Sequence, residues 1–214
     1  MRQCNVGSPF ERIAVDVARP FPQTEDGNKY IIVVMDYFSK WVEAYALPNQ
    51  EASTIAEEII KQWISRFGTP LELHSDQGKN FESNLFQKIC QLLNNRKTRT
   101  TALHPQSDGM VERMNRTINK YLSKVVSDHQ RDWNKYLHLF LLAYRASVHE
   151  TTDQSPAKII FGHELRLPCD LNFSINPGEE ISGEDYVSDL RYRIKDIHNR
   201  VRTNIQSASD QMKI

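Results

Sequence analysis

Apolar residues along the chain follow two periods, one of two residues and one close to 3.6, and the change between them predicts the secondary structure. Runs that alternate, or that are apolar on both faces, predict five strands. The second of them, YIIVVMD, is apolar on both faces and is therefore expected in the interior of a sheet. The predicted strands are 11–17, Tyr30–Asp36, 41–47, 71–75 and 96–101.

Helical spacing accounts for most of the remaining chain. Apolar residues recur at that spacing from 52 to 67, until Gly68 and Pro70 end the pattern. Ser83 is a typical N-cap for the next helix, and Ser155 followed by Pro156 starts a shorter one. The predicted helices are 52–67, 84–93, 108–127, 132–148, 156–162 and a last one within 185–214.

The order of these elements predicts the fold class and the domains. Three strands, a helix, a strand, a helix, a strand and then helices indicate an α/β structure in which helices flank a five-stranded mixed sheet. A helical extension follows at the C-terminus. We divide the chain into an N-terminal tail (1–8), a core domain (9–168), a linker (169–184) and a C-terminal helix (185–214).

The C-terminal helix carries a narrow apolar seam with polar residues between its members. Such a seam is typical of a helix that packs against a partner helix, which would allow self-association. The alternative is that the helix lies against its own domain. The seam consists of Tyr186, Leu190, Ile194, Ile197, Val201 and Ile205.

Composition narrows the possible classes of function. The chain has 25% charged residues and a net charge of zero, so a nucleic-acid partner has to be inferred from local clusters. No apolar stretch approaches the roughly 20 residues that a membrane-spanning helix needs. The three cysteines and seven histidines show no paired metal-ligand spacing, which predicts a reducing compartment and no zinc site within the chain.

Three acidic residues suggest the chemistry. Asp16 ends the first strand, Asp76 follows the fourth in LHSDQGKNF, and Glu112 lies in LHPQSDGMVER, with 35 residues between the last two. Carboxylates from two strand ends and one helix can converge at a sheet edge, and hard oxygen ligands suit Mg²⁺. We therefore predict that Asp16, Asp76 and Glu112 are catalytic and bind two ions of Mg²⁺ or Mn²⁺ for phosphoryl transfer.

Each acid also has an ordinary structural explanation. Glutamates usually lie on the solvated face of an amphipathic helix, as Glu112 does opposite the apolar stripe of its helix. Asp76 in SDQG fits an Asx turn, and Asp36 ends its strand as Asp16 does, so we interpret Asp36 as a turn or cap residue. The joint occurrence of the three acids supports the catalytic prediction.

Basic residues cluster near Glu112 in an otherwise neutral chain. Contact with phosphates is one interpretation, and a solvated charged face is the other. The cluster consists of Arg96, Lys97, Arg99, Arg113, Arg116, Lys120 and Lys124.

With these motifs established, the chain resembles the integrases of gypsy-class LTR retrotransposons. The matching strings cover most of residues 9 to 168 in family order and include ERIAVDV, GNKYIIVVMDYFSKWVEAYAL, LHSDQGKNFES, TRTTALHPQSDGMVERMNRTI and SPAKIIFG. The resemblance implies an RNase H-like catalytic core that trims element ends with water and joins the resulting 3′ hydroxyl to target DNA. It also implies a nuclear location, because the substrate is DNA.

The resemblance also concerns the DNA contacts. It implies that Gln106, Arg116 and Asn119 approach the element DNA, and the basic cluster adds Arg113 and Lys120 on the same helix. The N-terminal zinc module and the C-terminal DNA-binding module of such integrases are not complete in this sequence. The chain is therefore interpreted as a fragment of a polyprotein, a decayed copy or a domesticated gene.

Four residues depart from the pattern of the family. Arg19 and Asp153 stand where a glycine is usual, and Asn94–Asn95 replace a glycine and an apolar residue. Arg19 would lie close to Asp16, where a cation pairs with the acid or obstructs metal binding. Asn94 tolerates a left-handed cap, whereas Asn95 would cost about 1–3 kcal/mol if its amide is buried without partners.

Two further functions compete with an integrase core. One is a non-catalytic DNA-binding or protein-interaction remnant, which the missing modules and Arg19 favour. The other is a nuclease acting on RNA–DNA hybrids, against which the spacing of 35 residues and the LHPQSDGMVER loop argue.

Overall fold

The sheet has the five strands that the sequence predicts. The computed structural model describes residues 7–18, 20–99, 109–126, 129–172 and 186–211. Observed strand ends differ from the predicted ends by at most two residues within this part of the chain. The strands are β1 (Arg12–Ala18), β2 (Tyr30–Asp36), β3 (Val42–Leu47), β4 (Glu72–Ser75) and β5 (Arg96–Arg99).

The spatial order of the strands is β3-β2-β1-β4-β5. β2 pairs antiparallel with β1 and β3, whereas β4 pairs parallel with β1 and β5. The five-stranded mixed sheet is thus confirmed. β2 lies between two neighbours and is buried from Ile31 through Asp36, as its two apolar faces predict.

The helices also follow the sequence pattern. Ser83 Oγ accepts a hydrogen bond from Phe86 N at 3.2 Å, and Ser155 Oγ accepts one from Lys158 N at 3.1 Å, so both predicted caps are confirmed. The helices are α1 (Ala52–Glu58), α2 (Ser65–Phe67), α3 (Asn84–Leu92), α4 (Gly109–Val125), α5 (Trp133–Ala146), α6 (Pro156–Phe161), α7 (Pro168–Asn172) and α8 (Tyr186–Gln211).

Two helical segments differ from the prediction. The single helix expected over 52–67 contains a π-helical segment, Ile59–Ile64, which keeps Ile59 and Trp63 buried and leaves Ile60 41% exposed. The wider π turn alters which apolar side chains face inward. The segment predicted as a linker begins instead with a short helix, α7. Its first residue is a proline, which is favoured at the first position of a helix.

Contacts divide the chain into two compact units. One contains Phe10–Tyr37 and Val42–Leu141, which include the whole sheet, and α4 packs on β1 and β2 within it. Among the described residues, the other contains 7–9, Phe38–Trp41 and those from Leu142 onward. The proposed division at residue 168 stays a prediction. No helix among the described residues has the length and apolarity to cross a membrane.

The apolar seam of α8 is occupied within its own unit. Ile197 and Val201 are buried against Phe38 and Ile159, and Ile205 packs at the edge of this cluster. The second interpretation of the seam, a helix that lies against its own domain, therefore applies to this half of α8. Self-association through these residues would first require their release.

Polar contacts hold α8 in the same place. His198 Nε2 lies 2.9 Å from the carbonyl oxygen of Ile159, and Asn204 Nδ2 donates to the carbonyl oxygen of Thr152 at 2.9 Å. Because these contacts flank the buried seam residues, they fix both the rotation and the position of the helix along its axis.

Two of the residues that stand where the family has glycine adopt a backbone conformation that favours glycine. Asn94 has φ of 51° and Asp153 has φ of 53°, both in the left-handed region. Asn94 ends α3 as expected. The third departure, Arg19, lies outside the described residues.

Asn95 lies in the environment for which the sequence predicts a loss of stability, a buried position. Its side chain is 8% exposed, and neither amide atom has a hydrogen-bond partner within the described part of the chain. A buried amide without partners loses its hydration and gains nothing in return.

Replacing Asn95 with leucine, which has a similar shape, should raise the free energy of unfolding by about 1–3 kcal/mol, because the unpaired amide is removed. Chemical denaturation measures the change. Gln91→Leu on the exposed face of α3 serves as the control and should change stability by less than about 0.5 kcal/mol. An Asn95→Leu protein no more stable than the wild type would show that the amide finds partners.

Candidate active site

The register of the sheet brings the first two acids together. β1 and β4 run parallel as neighbours, with Val15 opposite Ser75. Asp16 and Asp76 each follow the paired residue, so they lie side by side where β4 ends, two residues before the end of β1. Asp16 is half-buried and Asp76 is exposed.

The third acid comes from α4, which packs on β1. Glu112 lies in the first turn of this helix and is exposed, while Val111 and Met114 beside it are buried. All three acids line one cavity of about 60 Å³, so the fold brings them to one place. The cavity is lined by Ala14, Val15, Asp16, His74, Ser75, Asp76, Val111 and Glu112.

Two hydrogen bonds fix the carboxylate of Asp16. Oδ1 accepts from Val17 N at 2.8 Å, and Oδ2 accepts from Asn115 Nδ2 at 2.7 Å. Asn115 is 9% exposed and was not predicted from the sequence. The sequence could have indicated it, because Asn115 follows Glu112 by three residues and side chains at this spacing are neighbours on one face of a helix.

The environment of Asp16 favours its neutral form. Burial, which strips the carboxylate of water, acts together with the nearby carboxylates of Asp76 and Glu112 to raise the pKa of Asp16 to about 6. The hydrogen bonds from Val17 and Asn115 act in the opposite direction and only partly offset this. The site therefore holds an acid whose charge a nearby cation would stabilise.

Asp76 is held by the loop that follows it. Its Oδ1 accepts from Gly78 N at 2.9 Å, which is the Asx turn that the sequence suggested as the ordinary explanation. A Cβ at Gly78 would lie 2.9 Å from the same oxygen, so only glycine allows this close approach. The turn positions Asp76 at the cavity, and the two interpretations of this residue are therefore compatible.

A second cavity of about 260 Å³ also borders the two aspartates. It is lined by Asp16, Val17, Gln50, Asp76, Gly78, Lys79, Asn80 and Phe81. Lys79 is exposed and brings a positive charge to this cavity, although the sequence analysis did not select it. Asp16 and Asp76 thus border both cavities.

The predicted DNA-binding residues of α4 lie on its outer side. Arg113, Arg116 and Lys120 are exposed, and Asn119 is half-buried. Arg113 Nε donates to the carbonyl oxygen of Gly109 at 2.9 Å, within the first turn of the helix. Gln106 lies outside the described residues.

Asp36 proves to be structural, as predicted. It is fully buried, and its Oδ1 accepts from Phe10 N at 3.0 Å. This bond satisfies a backbone group in the segment that precedes β1.

The donor set of the acid cavity fits a hard divalent cation. Three carboxylates supply only oxygen ligands, which Mg²⁺ and Mn²⁺ prefer. Within the described ranges, no three His, Cys, Asp or Glu side chains are grouped closely enough to hold one ion together. Since Mg²⁺ retains several waters and takes one or two carboxylates from a protein, acids spread along a cavity wall suit it.

The raised pKa of Asp16 makes a prediction about stability. Because the folded protein binds this proton more tightly than the unfolded chain, stability should fall as pH rises from about 4 through 6. Without metal, Asp16→Asn should therefore raise the free energy of unfolding by about 1–3 kcal/mol at pH 7.5 and by close to zero at pH 4. Urea denaturation at both pH values measures this.

Glu57→Gln on the exposed surface of α1 is the control and should give the same stability as the wild type at both pH values. Equal stability of wild type and Asp16→Asn at pH 7.5 would contradict the raised pKa.

Comparisons with known proteins agree with this geometry. Residues 7–105 match the family model of the integrase core domain. The Pol polyprotein of transposon 412 from Drosophila melanogaster is 28% identical over 206 residues, or 95% of this chain. The Gag-Pol polyprotein of avian reticuloendotheliosis virus is 36% identical over 172 residues, or 78% of this chain.

A solved structure shares the fold. The catalytic core domain of BIV integrase matches with a TM-score of 0.54 and 27% identity, covering 70% of this chain and 93% of that domain. The sheet and its flanking helices are therefore the RNase H-like fold of integrase catalytic cores, as the sequence predicts.

The matched polyproteins are much longer than this chain. This chain spans 16% of the transposon 412 polyprotein and 15% of the avian polyprotein. The family match contains Asp16 and Asp76 and ends before Glu112, whose place in the site follows from the cavity and the spacing of 35 residues. Residues 7–105 form an integrase core domain of the retroviral type.

Proposed function

We propose that this chain is the catalytic core of a gypsy-class retrotransposon integrase, a two-metal polynucleotidyl transferase that acts on DNA in the nucleus. The observation that supports this most is the cavity shared by Asp16, Asp76 and Glu112, which come from two adjacent strand ends and one helix. A protein of the same fold, the HTLV-2 integrase catalytic core domain, was solved in complex with magnesium in a trimeric form.

The three acids would hold two ions of Mg²⁺ or Mn²⁺. Bound ions would neutralise charge on the phosphate and lower the pKa of an attacking water. The chain contributes the placement of the ligands, because Asn115 fixes Asp16 and Gly78 N fixes Asp76. Because these two contacts already restrict the carboxylates, less conformational entropy would be lost when a cation binds.

The proposed reaction has two steps. In the first, water attacks a phosphodiester near the element end, and the P–O3′ bond breaks to leave a free 3′ hydroxyl. In the second, this hydroxyl attacks a phosphodiester of target DNA, and the target strand leaves as a new 3′ hydroxyl. The number of phosphodiester bonds is conserved in the second step, so it needs no energy source.

DNA would reach the acids along a basic surface. The outer side of α4 offers Arg113, Arg116 and Lys120, and Lys79 borders the second cavity beside the two aspartates. Cations spaced along a helix contact phosphates without reading sequence. We include Gln106 and Asn119 as further contacts on the ground of the resemblance.

A test of the function is disintegration, the reverse of strand transfer, on a branched DNA with Mn²⁺. Glu112→Gln should lower the rate by more than about 100-fold, because loss of even an outer-shell partner of a metal ligand costs about 10–100-fold. Glu57→Gln should keep the wild-type rate. Wild-type activity in Glu112→Gln would exclude the acid site, and a folded but silent wild type that still binds DNA would favour the non-catalytic remnant.

Gly78→Ala should weaken binding of Mn²⁺ by about 10–100-fold, because the new Cβ displaces the carboxylate of Asp76. Titration of Mn²⁺ measures the affinity. Since the displaced atom ends a side chain, the free energy of unfolding should change by less than about 0.5 kcal/mol.

The matched control is Gly109→Ala at the start of α4, where the nearest atom to an added Cβ is 3.9 Å away. It should bind Mn²⁺ as the wild type does. Unchanged affinity in Gly78→Ala would show that Asp76 binds no metal or is placed by other contacts.

A further inference from the structure

The loop that carries Asp76 is joined to the sheet at both of its ends. It leaves β4 at Asp76 and reaches α3 at Ser83, the N-cap of that helix. Glu82, the residue before the cap, lies beside β5, which pairs parallel with β4 at one edge of the sheet. There Lys97 Nζ donates to Glu82 Oε1 at 2.5 Å. The chain itself therefore fixes the first end of the loop, and an ion pair fixes the second.

Water screens this ion pair only in part. The side chains of Lys97 and Glu82 are 13% and 29% exposed. Those of the surface pair Lys135 and Glu25 are 64% and 69% exposed. A partly buried pair is screened less by salt and water, so it constrains its side chains more strongly. The ammonium of Lys97, one of the basic residues grouped near Glu112, is thus mostly buried and held by an acid, which argues against a contact with phosphate.

Backbone hydrogen bonds connect Glu82 to the carboxylate of Asp76. The backbone N–H groups of Glu82 and Phe81 both donate to the carbonyl oxygen of Gly78, each at 3.0 Å. Gly78 N donates in turn to Asp76 Oδ1 at 2.9 Å. Gly78 therefore binds the end of the loop through its carbonyl group and the acid through its N–H group. A displacement of Glu82 would move Gly78 and, with it, the donor that holds Asp76.

The other contacts of the loop leave its orientation to the ion pair. Phe81 is 2% exposed and meets Phe86 edge-on, with ring centroids 5.4 Å apart. Ser83 Oγ donates to the carbonyl oxygen of Asn80 at 2.9 Å, which is a bond within the loop. Apolar burial is non-directional, so it keeps the loop against the core without fixing its rotation. The bond from β5 to Glu82 supplies that direction.

We propose that Lys97 and Glu82 are positioning residues of the acid site, whose ion pair holds the loop so that Gly78 N keeps the carboxylate of Asp76 in place at the cavity. Neither residue touches the substrate or a metal ion in this role. Both act through the backbone of Gly78. The inference rests on the proposed function, because it assigns Asp76 to cation binding.

The test breaks the ion pair and then rebuilds it with the charges exchanged. Lys97→Met removes the ammonium and keeps the length of the side chain, and Glu82→Gln removes the partner charge. The double variant Lys97→Glu with Glu82→Lys restores a pair of opposite charges. Lys135→Met, which breaks the exposed pair with Glu25, is the matched control. Circular dichroism establishes that each variant is folded.

Two measurements report the position of Asp76. In metal-free protein labelled with ¹⁵N-glycine, only the eight glycines give signals, and the amide proton of Gly78 resonates downfield while it donates to a carboxylate. Titration of Mn²⁺ then gives the affinity of the acid site. The first measurement depends on neither metal binding nor catalysis.

We expect Lys97→Met and Glu82→Gln to shift the Gly78 amide proton upfield and to bind Mn²⁺ about 10-fold more weakly, as for residues that orient metal ligands. The charge-exchanged variant should recover most of the wild-type resonance position and affinity, and Lys135→Met should match the wild type. A phosphate contact by Lys97 would instead leave both readouts unchanged and lower the salt dependence of DNA binding.

Two results would overturn the proposal. One is a folded Lys97→Met protein with the Gly78 resonance and the Mn²⁺ affinity of the wild type. The other is a folded charge-exchanged variant that binds Mn²⁺ as weakly as Lys97→Met. A wild type that shows the expected dependence on Lys97 in both readouts but carries out no disintegration would contradict the proposed function and leave the positioning role supported.

Discussion

The parallel pairing of β1 with β4 is the constraint on which the site depends. It sets Val15 opposite Ser75, so the next residue of each strand is an aspartate at the same edge of the sheet. A shift of one residue in this register would send one aspartate to the opposite face, because side chains alternate along a strand. The apolar residues Ile13 and Leu73, both almost fully buried, hold the register by packing in the core.

This arrangement concentrates negative charge where water is partly excluded. Burial and the nearby carboxylates raise the pKa of Asp16, and the hydrogen bonds from Val17 and Asn115 offset only part of this increase. Arg12 brings a positive charge to the same sheet face, where its ion pair is with Glu72, which does not line the acid cavity. The fold thus holds Asp16 and Asp76 through hydrogen bonds and leaves the cavity beside them open to a ligand.

Much of the fold follows from local pattern. The two apolar faces of YIIVVMD, the serine caps of α3 and α6 and the left-handed Asn94 each have a cause within a few residues, and the sequence predicts them. The acids at 16, 76 and 112 are also visible. The spatial order of the strands is not visible in the same way, since pairing depends on contacts between distant segments.

The residues that the sequence analysis missed depend on those distant contacts. Asn115 and Lys79 have ordinary positions in a helix and a loop, and only the folded sheet brings them to Asp16. The π-helical turn was missed for a different reason. Hydrogen-bond patterns that shift by one residue leave the apolar spacing of a short segment nearly unchanged.

The covering of the α8 seam has a consequence for the order of folding. Phe38 lies between β2 and β3 near the start of the chain, whereas Ile197 and Val201 lie about 160 residues later, yet they share one buried cluster. Contacts so distant in sequence raise the contact order and form late. During synthesis, the unit that contains Phe38 and α8 therefore stays incomplete until residues 197–201 have left the ribosome, and its apolar side chains remain open to chaperones until then.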